Sequence, residues 1–295
     1  SYARIHGTGV TFAGLSQKLT GEYLVHLPPL PEQRSIAEIL DTLDEAIRKT
    51  EAVIAKLQQM KQGLLHDLLT RGIDDNGELR DPERHPEQFK DSPLGPIPRG
   101  WEVRRVGELG ECITGGTPPG SVPGVWGDGL SFITPGDISA DGHLLPAARQ
   151  LTAKGRTFLK PLPPKSLLVV CIGSTLGKMA LNTIPCATNQ QINAIVPSAN
   201  IAPGFLFAAM RIRLRSLLLM AGLQAVPIVN RTLFESVMLP IAPLHEQKAI
   251  ALQLAKLNER VLAEERAVSK LRTLKHGLMD DLLTGRVRVS TESPA

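Results

Sequence analysis

PLPEQRSIAEIL (residues 29–40) and PLHEQKAIALQL (residues 243–254) are two copies of one segment. The offset that sets Glu32-Gln33 over Glu246-Gln247 is 246 − 32 = 214. The same offset carries Asp67 onto Asp281 and Leu68-Leu69-Thr70 onto Leu282-Leu283-Thr284, so the copies align without a gap. A repeat this long is one structural unit used twice.

The repeated unit reads as a helix. Positions seven apart give Ile36, Leu43, Thr50, Leu57 and Leu64, with a second stripe of Leu40, Ile47, Ile54, Lys61 and Leu68. Eight of these ten are apolar, which is the pattern of a coiled-coil seam. The second copy gives Ile250, Leu257, Glu264, Leu271, Leu278 and Leu254, Val261, Val268, Lys275, Leu282, with its polar interruptions at the same two places. Pro31 suits a first turn, and Gly72 and Gly285 suit helix ends. Such a helix is about 60 Å long at ~1.5 Å per residue. An apolar seam of that length needs a mate, and the simplest mate is the other copy. The pattern alone leaves parallel and antiparallel pairing open.

The alignment also reaches upstream, where GEYLVHLPPLPEQ lies over ESVMLPIAPLHEQ. Residues 1–26 are therefore expected to be the tail of a domain whose complete copy ends near Pro240. The remaining boundaries follow: a long helix at 27–73, a linker at 74–91, a globular domain at 92–240, a second long helix at 241–287 and a tail at 288–295. The stretch RGIDDNGELRDPERHPEQFKD (71–91) is charged and nearly devoid of apolar residues, as a solvated linker is. The globular domain opens on SPLGPIPRGWEV, which sets Trp101 at the edge of a core. Its short apolar runs, LSFITPGDIS, SLLVVCIGS and INAIVP, read as strands, and PGFLFAAMRIRLRSLLLMAG reads as a helix. The fold class is α+β: a strand-rich domain joined to two long helices.

Composition narrows the partners. The chain carries a formal charge of +4 and few aromatic residues. From 151 to 240 there are nine basic residues against the single acid Glu235. One-signed charge of that extent suits a phosphate backbone, whose condensed counterions Lys and Arg displace; an idle basic face is the plainer alternative. The candidates for phosphate contact are Lys154, Arg156, Lys160 and Lys178. GSTLGKMA (173–180) looks like a nucleotide-binding phosphate loop but is one residue short, and Met179 stands where a magnesium-binding hydroxyl belongs. A Gly-rich turn that brings Ser174 and Lys178 to a phosphate fits it better. In CATNQQINAI, Thr188, Asn189, Gln190 and Gln191 precede a strand. Asn and Gln amides match the donor and acceptor edges of adenine, although the same residues could simply cap the strand. Thr134, Asp137 and Ser139 of TPGDIS are the second choices, Asp137 as an acceptor for a cytosine amine.

Several classes are absent. Cys112, Cys171 and Cys186 have no CxxC spacing and read as buried thiols in a reducing cytosol. No apolar run reaches the ~20 residues that span a bilayer. No nucleophile triad, HExxH or nuclease carboxylate cluster is visible, so no catalytic residue is assigned. The chain opens on Ser1, with no signal peptide visible, and its natural start is expected upstream.

In these motifs and their order the chain resembles the specificity subunits of type I restriction–modification systems. The resemblance rests on SPLGPIPRGWEV, GGTPPG…VWGDGLSFITPGDIS, GSTLGKMA…ATNQQINAIVP and the two PL(P/H)EQ helices ending in DLLT, and it covers nearly the whole chain. It implies two helices paired antiparallel and recognition domains that each read half of a split double-stranded DNA site. It also implies two modification subunits and restriction (motor) subunits as partners. S-adenosylmethionine, ATP and magnesium are then held by those partners, and this chain is non-catalytic, without a cofactor or metal, and cytoplasmic. The chain departs from the pattern in carrying one complete recognition domain. A fragment, a truncated gene or a half-size subunit that dimerises on a palindrome would each account for that; a coiled-coil assembly scaffold is the alternative outside DNA binding.

Overall fold

The computed structural model describes residues 24–221 and 227–289, together with Lys18, Gly21 and Glu22. The domain remnant expected at 1–26 lies almost wholly outside the described residues, as does most of the tail at 288–295. The chain divides into two units, residues 1–56 with 261–295, and residues 57–260. Helices α1 (Leu30–Thr70) and α6 (Leu244–Leu283) each contribute to both.

In the first unit the helices pack together and run antiparallel. Asp44 meets Lys275, Glu51 meets Arg272 and Glu32 meets Arg288, so numbers rise along one helix as they fall along the other. The seam buries Ile36, Ile47, Val261, Val268 and Leu282. Lys275, one of the polar interruptions, donates to both carboxylate oxygens of Asp44 at 2.6 Å. In the second unit the equivalent Lys61 donates to Asn258 at 2.5 Å, in the same antiparallel sense. Because 44 + 214 = 258, the interruption and its partner are repeated together, as aspartate once and asparagine once. Leu57, Leu68 and Ile250 supply the buried seam there. Both helices end on a glycine in the left-handed region, Gly72 (φ 64°) and Gly285 (φ 72°).

The rest of the second unit is the strand-rich domain. Its entry forms the ribbon β1 (Phe89–Lys90) with β2 (Ile97–Pro98). β3 (Glu102–Arg105) pairs with the last strand, β11 (Met238–Ile241), and so closes the domain on itself just before α6. Between them lie two sheets. One has the order β4 (Gly110–Thr114), β10 (Ile192–Pro197), β7 (Leu167–Val170), β8 (Met179–Leu181), all antiparallel. The other has the order β6 (Arg149–Leu151), β5 (Trp126–Ile133), β9 (Cys186–Thr188), with β5 and β9 parallel. β7 is buried along its whole length and β10 for its first four residues, which explains their unbroken apolar runs. The main core gathers Trp101, Leu109, Phe205, Leu206 and Phe234; Trp101 is fully buried, edge-on to Phe205 at 5.9 Å.

Two readings of local sequence are refined. The helix expected from 203 is two helices, α3 (Pro203–Ile212) and α4 (Leu214–Met220), broken where Arg213 leaves helical geometry (φ −89°, ψ 4°). The charged stretch after α1 is also more than a solvated spacer. Asp74 accepts the backbone N–H groups of Asn76 and Glu78, Ile73 bridges to Leu79, and Ile73 is buried. The Glu78 N–H group, first among several donors, holds the Asp74 carboxyl below its ordinary value.

Candidate nucleic-acid interface

Topology brings four loops of the strand-rich domain to one edge. β5 and β9 are parallel, with Ile133 opposite Thr188, so both deliver their following loops to the same side. β4 and β7 flank β10 antiparallel, with Thr114 opposite Asn193 and Val170 opposite Ile192. Their outgoing loops therefore arrive where β10 begins. Hydrogen bonds tie the loops together: Asn189 N–H donates to Ile133 O (3.1 Å), Gly116 N–H to Thr188 O (2.9 Å) and Cys171 N–H to Gln191 O (2.7 Å). Gly115 is required here, because a Cβ would stand 2.2 Å from Asn189 O.

The expected site residues divide at this edge into scaffold and surface. Asp137 is buried: one oxygen accepts the Thr134 N–H and hydroxyl (2.8 and 2.7 Å), and the other accepts the Ala148 N–H (3.1 Å). Its acceptors are occupied by Thr134 and Ala148, and the Thr134 hydroxyl is spent on it. Ser139 donates to Asp141 at 2.5 Å and accepts the His143 N–H; the serine hydroxyl is the main reason the Asp141 carboxyl sits below its ordinary value. Thr188 is buried, and Asn189, nearly so, holds Gln191 through both its amide atoms. Lys178 spends its ammonium on Ile138 O at 2.9 Å, half-buried. Gln190 and Ser174 face solvent, Gln191 partly so. The Gln190 carbonyl accepts the Thr117 hydroxyl at 2.8 Å, which fixes its orientation.

The other cations lie on the segment after β6, which touches the loop leaving β4. Lys154 and Arg156 lie on the short helix α2 (Ala153–Arg156), capped by Thr152. Lys154 donates to Pro123 O at 2.9 Å, whereas the Arg156 guanidinium is exposed and has no partner among the described residues. Lys160 forms an ion pair with Glu111 and is partly neutralised.

Two functional-looking residues escaped sequence reading. Thr117, in a Gly/Pro loop, gave no signal before its contact with Gln190 was seen. Glu246 was visible as half of the repeated Glu-Gln pair, but its task was not. Buried at the start of α6, it accepts from Arg80 (2.6 and 3.3 Å), Trp101 Nε1 (3.0 Å) and Ile73 N–H (2.9 Å). It thereby fastens the chain leaving α1. Gly72 makes room, since a Cβ there would lie 2.4 Å from the Glu246 carboxylate. Gln247 beside it accepts the Ala202 N–H and donates to Ala242 O, both at 2.8 Å. In the first unit Glu32 does the same for the chain leaving α6, accepting two bonds from Arg288 at 2.6 Å and one from Val289 N–H.

Among the described residues no group of His, Cys, Asp and Glu is arranged to hold a metal, and no helix is long and apolar enough to cross a membrane. Burial pushes the thiols of Cys112, Cys171 and Cys186 up to about 11, so they are protonated at neutral pH.

The fold is shared with solved structures. Over 96% of this chain and 66% of the other, it superposes on the HsdS subunit from Thermoanaerobacter tengcongensis with a TM-score of 0.54 at 22% identity. At the level of sequence, residues 4–59 and 98–270 match the family described as "Type I restriction modification DNA specificity domain", and the chain belongs to that family. Among its relatives, the type I restriction enzyme HindI specificity subunit of Haemophilus influenzae is 33% identical over 117 residues, 39% of this chain and 25% of that one. The type I restriction enzyme MjaVIII specificity subunit of Methanocaldococcus jannaschii is 25% identical over 96% of this chain. The chain spans 66% of that protein's length and 63% of a second relative from the same organism.

Proposed function

We propose that the chain is a sequence-specific double-stranded DNA-binding specificity subunit whose strand-rich domain reads one half of a bipartite site. The observation that carries this reading is the convergence of four loops on one edge, with Gln190 oriented there and held by Thr117. An amide fixed in that way can meet an adenine edge bidentately. The long helices serve as the docking surface for two modification subunits, and restriction subunits join through those. The chain itself is non-catalytic. S-adenosylmethionine, ATP and magnesium are bound by the partners, which transfer the methyl group and cleave the DNA.

Family membership supports DNA specificity as the role, and the nine-to-one charge bias of 151–240 supports a polyanion as the ligand. Gln190, Gln191 and Ser174 are assigned to direct contact. Thr134, Asp137, Ser139, Thr188 and Asn189 shape the loops that carry them, and Lys154, Arg156, Lys160 and Lys178 supply positive potential. The decisive experiment is methylome sequencing of cells carrying the intact system, with and without this gene. A bipartite adenine-methylation motif is expected to vanish on deletion and return on complementation. An identical methylome in both strains would refute the assignment.

A further inference from the structure

Arg149 lies at the start of the edge strand β6, exposed to solvent. Its guanidinium carbon sits 3.4 Å from the ring centre of Trp126 and 5.8 Å from that of Phe132, while Trp126 stands edge-on to Phe132 at 5.0 Å. Trp126 and Phe132 belong to a small separate core with Leu130, Leu151, Leu159 and Ala187. The platform under the arginine is thus a packed surface, and the cation is held flat upon it.

That arrangement is unusual for an idle surface arginine. Among the described residues Arg149 makes no ion pair, and neither does Asp128, the one carboxylate on β5. Stacking occupies the face of the guanidinium and leaves its fork of N–H donors pointing outward in the ring plane. A fork held this way has lost much of its rotamer freedom before any ligand arrives, so less entropy is lost on binding. A planar fork fits a phosphate bidentately.

Position selects the phosphate over a base. Arg149 stands opposite Phe132, and Phe132 opposite Ala187, three residues before Gln190. Two strand spacings of about 4.8 Å and three residues of about 3.3 Å place Arg149 roughly 14 Å from Gln190. A major groove is about 12 Å wide, so a domain with Gln190 on a base edge sets Arg149 near the flanking backbone. Gly155, between Lys154 and Arg156, packs against Val125, next to Trp126, and Leu151, so both cations sit on the segment that adjoins the stack.

We infer that the Trp126–Arg149 stack is a backbone phosphate clamp that sets the orientation of the recognition domain on the duplex. The inference rests on the DNA-binding reading and adds to it a residue and a contact type. It is tested on the full chain assembled with its modification subunits, by duplex binding across a salt series and by methylome sequencing. Arg149→Gln is expected to weaken all duplexes alike, by roughly tenfold at low salt, to flatten the salt slope by about one and to leave the methylated motif unchanged. Arg149→Lys is expected to restore the slope but not the affinity, because the charge returns without the stacked fork. Unchanged affinity and slope in Arg149→Gln, beside a salt-sensitive wild type, would overturn the clamp alone. A shifted motif with an unchanged slope would overturn it in favour of base reading, and full recovery in Arg149→Lys would overturn the part played by the stack. A wild-type complex with no salt-dependent duplex binding would sink the DNA-binding reading itself. Both variants are exposed changes, and matching thermal unfolding curves establish that each is folded.

Discussion

At the scale of single residues, the loop edge separates side chains that build the site from those free to touch a ligand. Gln190 is exposed with one amide atom held by Thr117, whereas Asp137 and Asn189 are committed to their own turns. Gln190→Ala is therefore expected to relax one position of the methylated motif, with about 1–3 kcal/mol of discrimination lost there. Sequencing the methylome of the variant measures it, and an intact motif with uniformly weaker binding would return Gln190 to the role of a cap. A second residue-scale expectation concerns Glu246. Truncation to alanine leaves the Arg80, Trp101 and Ile73 donors unpaired, and removal of one partner from such a buried pair costs roughly 3–5 kcal/mol. Urea unfolding of Glu246→Ala against wild type reads that cost; a midpoint within error of wild type would show the fastening to be idle. Glu32 carries a pH signature. The Arg288 hydrogen bonds hold its carboxyl below the ordinary 4.5. Its contribution is thus complete above that value and is lost as pH falls through the lowered folded-state value. Wild type is expected to lose more stability than Glu32→Gln over that acid window.

At the scale of elements, the seam between α1 and α6 was legible because a period of seven needs nothing but spacing to be seen. Ile36, Ile47, Leu57, Leu68, Ile250, Val261, Val268 and Leu282 are all buried, as their stripes predict. The lysines that interrupt the stripes were legible as interruptions only. Their partners, Asp44 and Asn258, lie off the stripes and became visible once the antiparallel register was known. One heptad inserted into α1 between Glu51 and Leu57 is expected to break the seam and lower the melting temperature. The same insertion in both helices, near Glu265 in α6, is expected to recover most of the loss, because a heptad preserves the stripe. Circular dichroism melts of the three proteins test this, and a single insertion as stable as the double would remove the seam as the reason for the repeat.

At the scale of the whole molecule, burial governs how the protein meets reagents and ligands. Cys112, Cys171 and Cys186 are buried, with thiols pushed up to about 11. Native protein is expected to resist iodoacetamide at neutral pH, while denatured protein takes up three labels; mass spectrometry counts them. Rapid labelling of the native state would contradict the buried placement. The nine-to-one charge bias of residues 151–240 acts over that whole stretch rather than at one contact. Its expected mark is a linear fall of log affinity with log salt when the assembled complex binds duplex.

The amino-acid sequence by itself determined the repeat, its offset of 214, the two long helices and the strand-rich character of the domain between them. Each of these is a periodic or compositional property, and periodicity survives without knowledge of neighbours. Tertiary structure alone decided which of the candidate residues are surface and which are scaffold. Asp137 and Gln190 are equally polar in sequence; one is enclosed with its carboxylate taken by Thr134 and Ala148, and the other is exposed in the loop that follows β9. The structure alone also supplied which residues face each other across the antiparallel helices, the fastening of Glu246 to Arg80 and Trp101, and the stacking of Arg149 on Trp126. These contacts join residues 23 to 256 positions apart, and only the closing of sheets and helices brings such distant groups together.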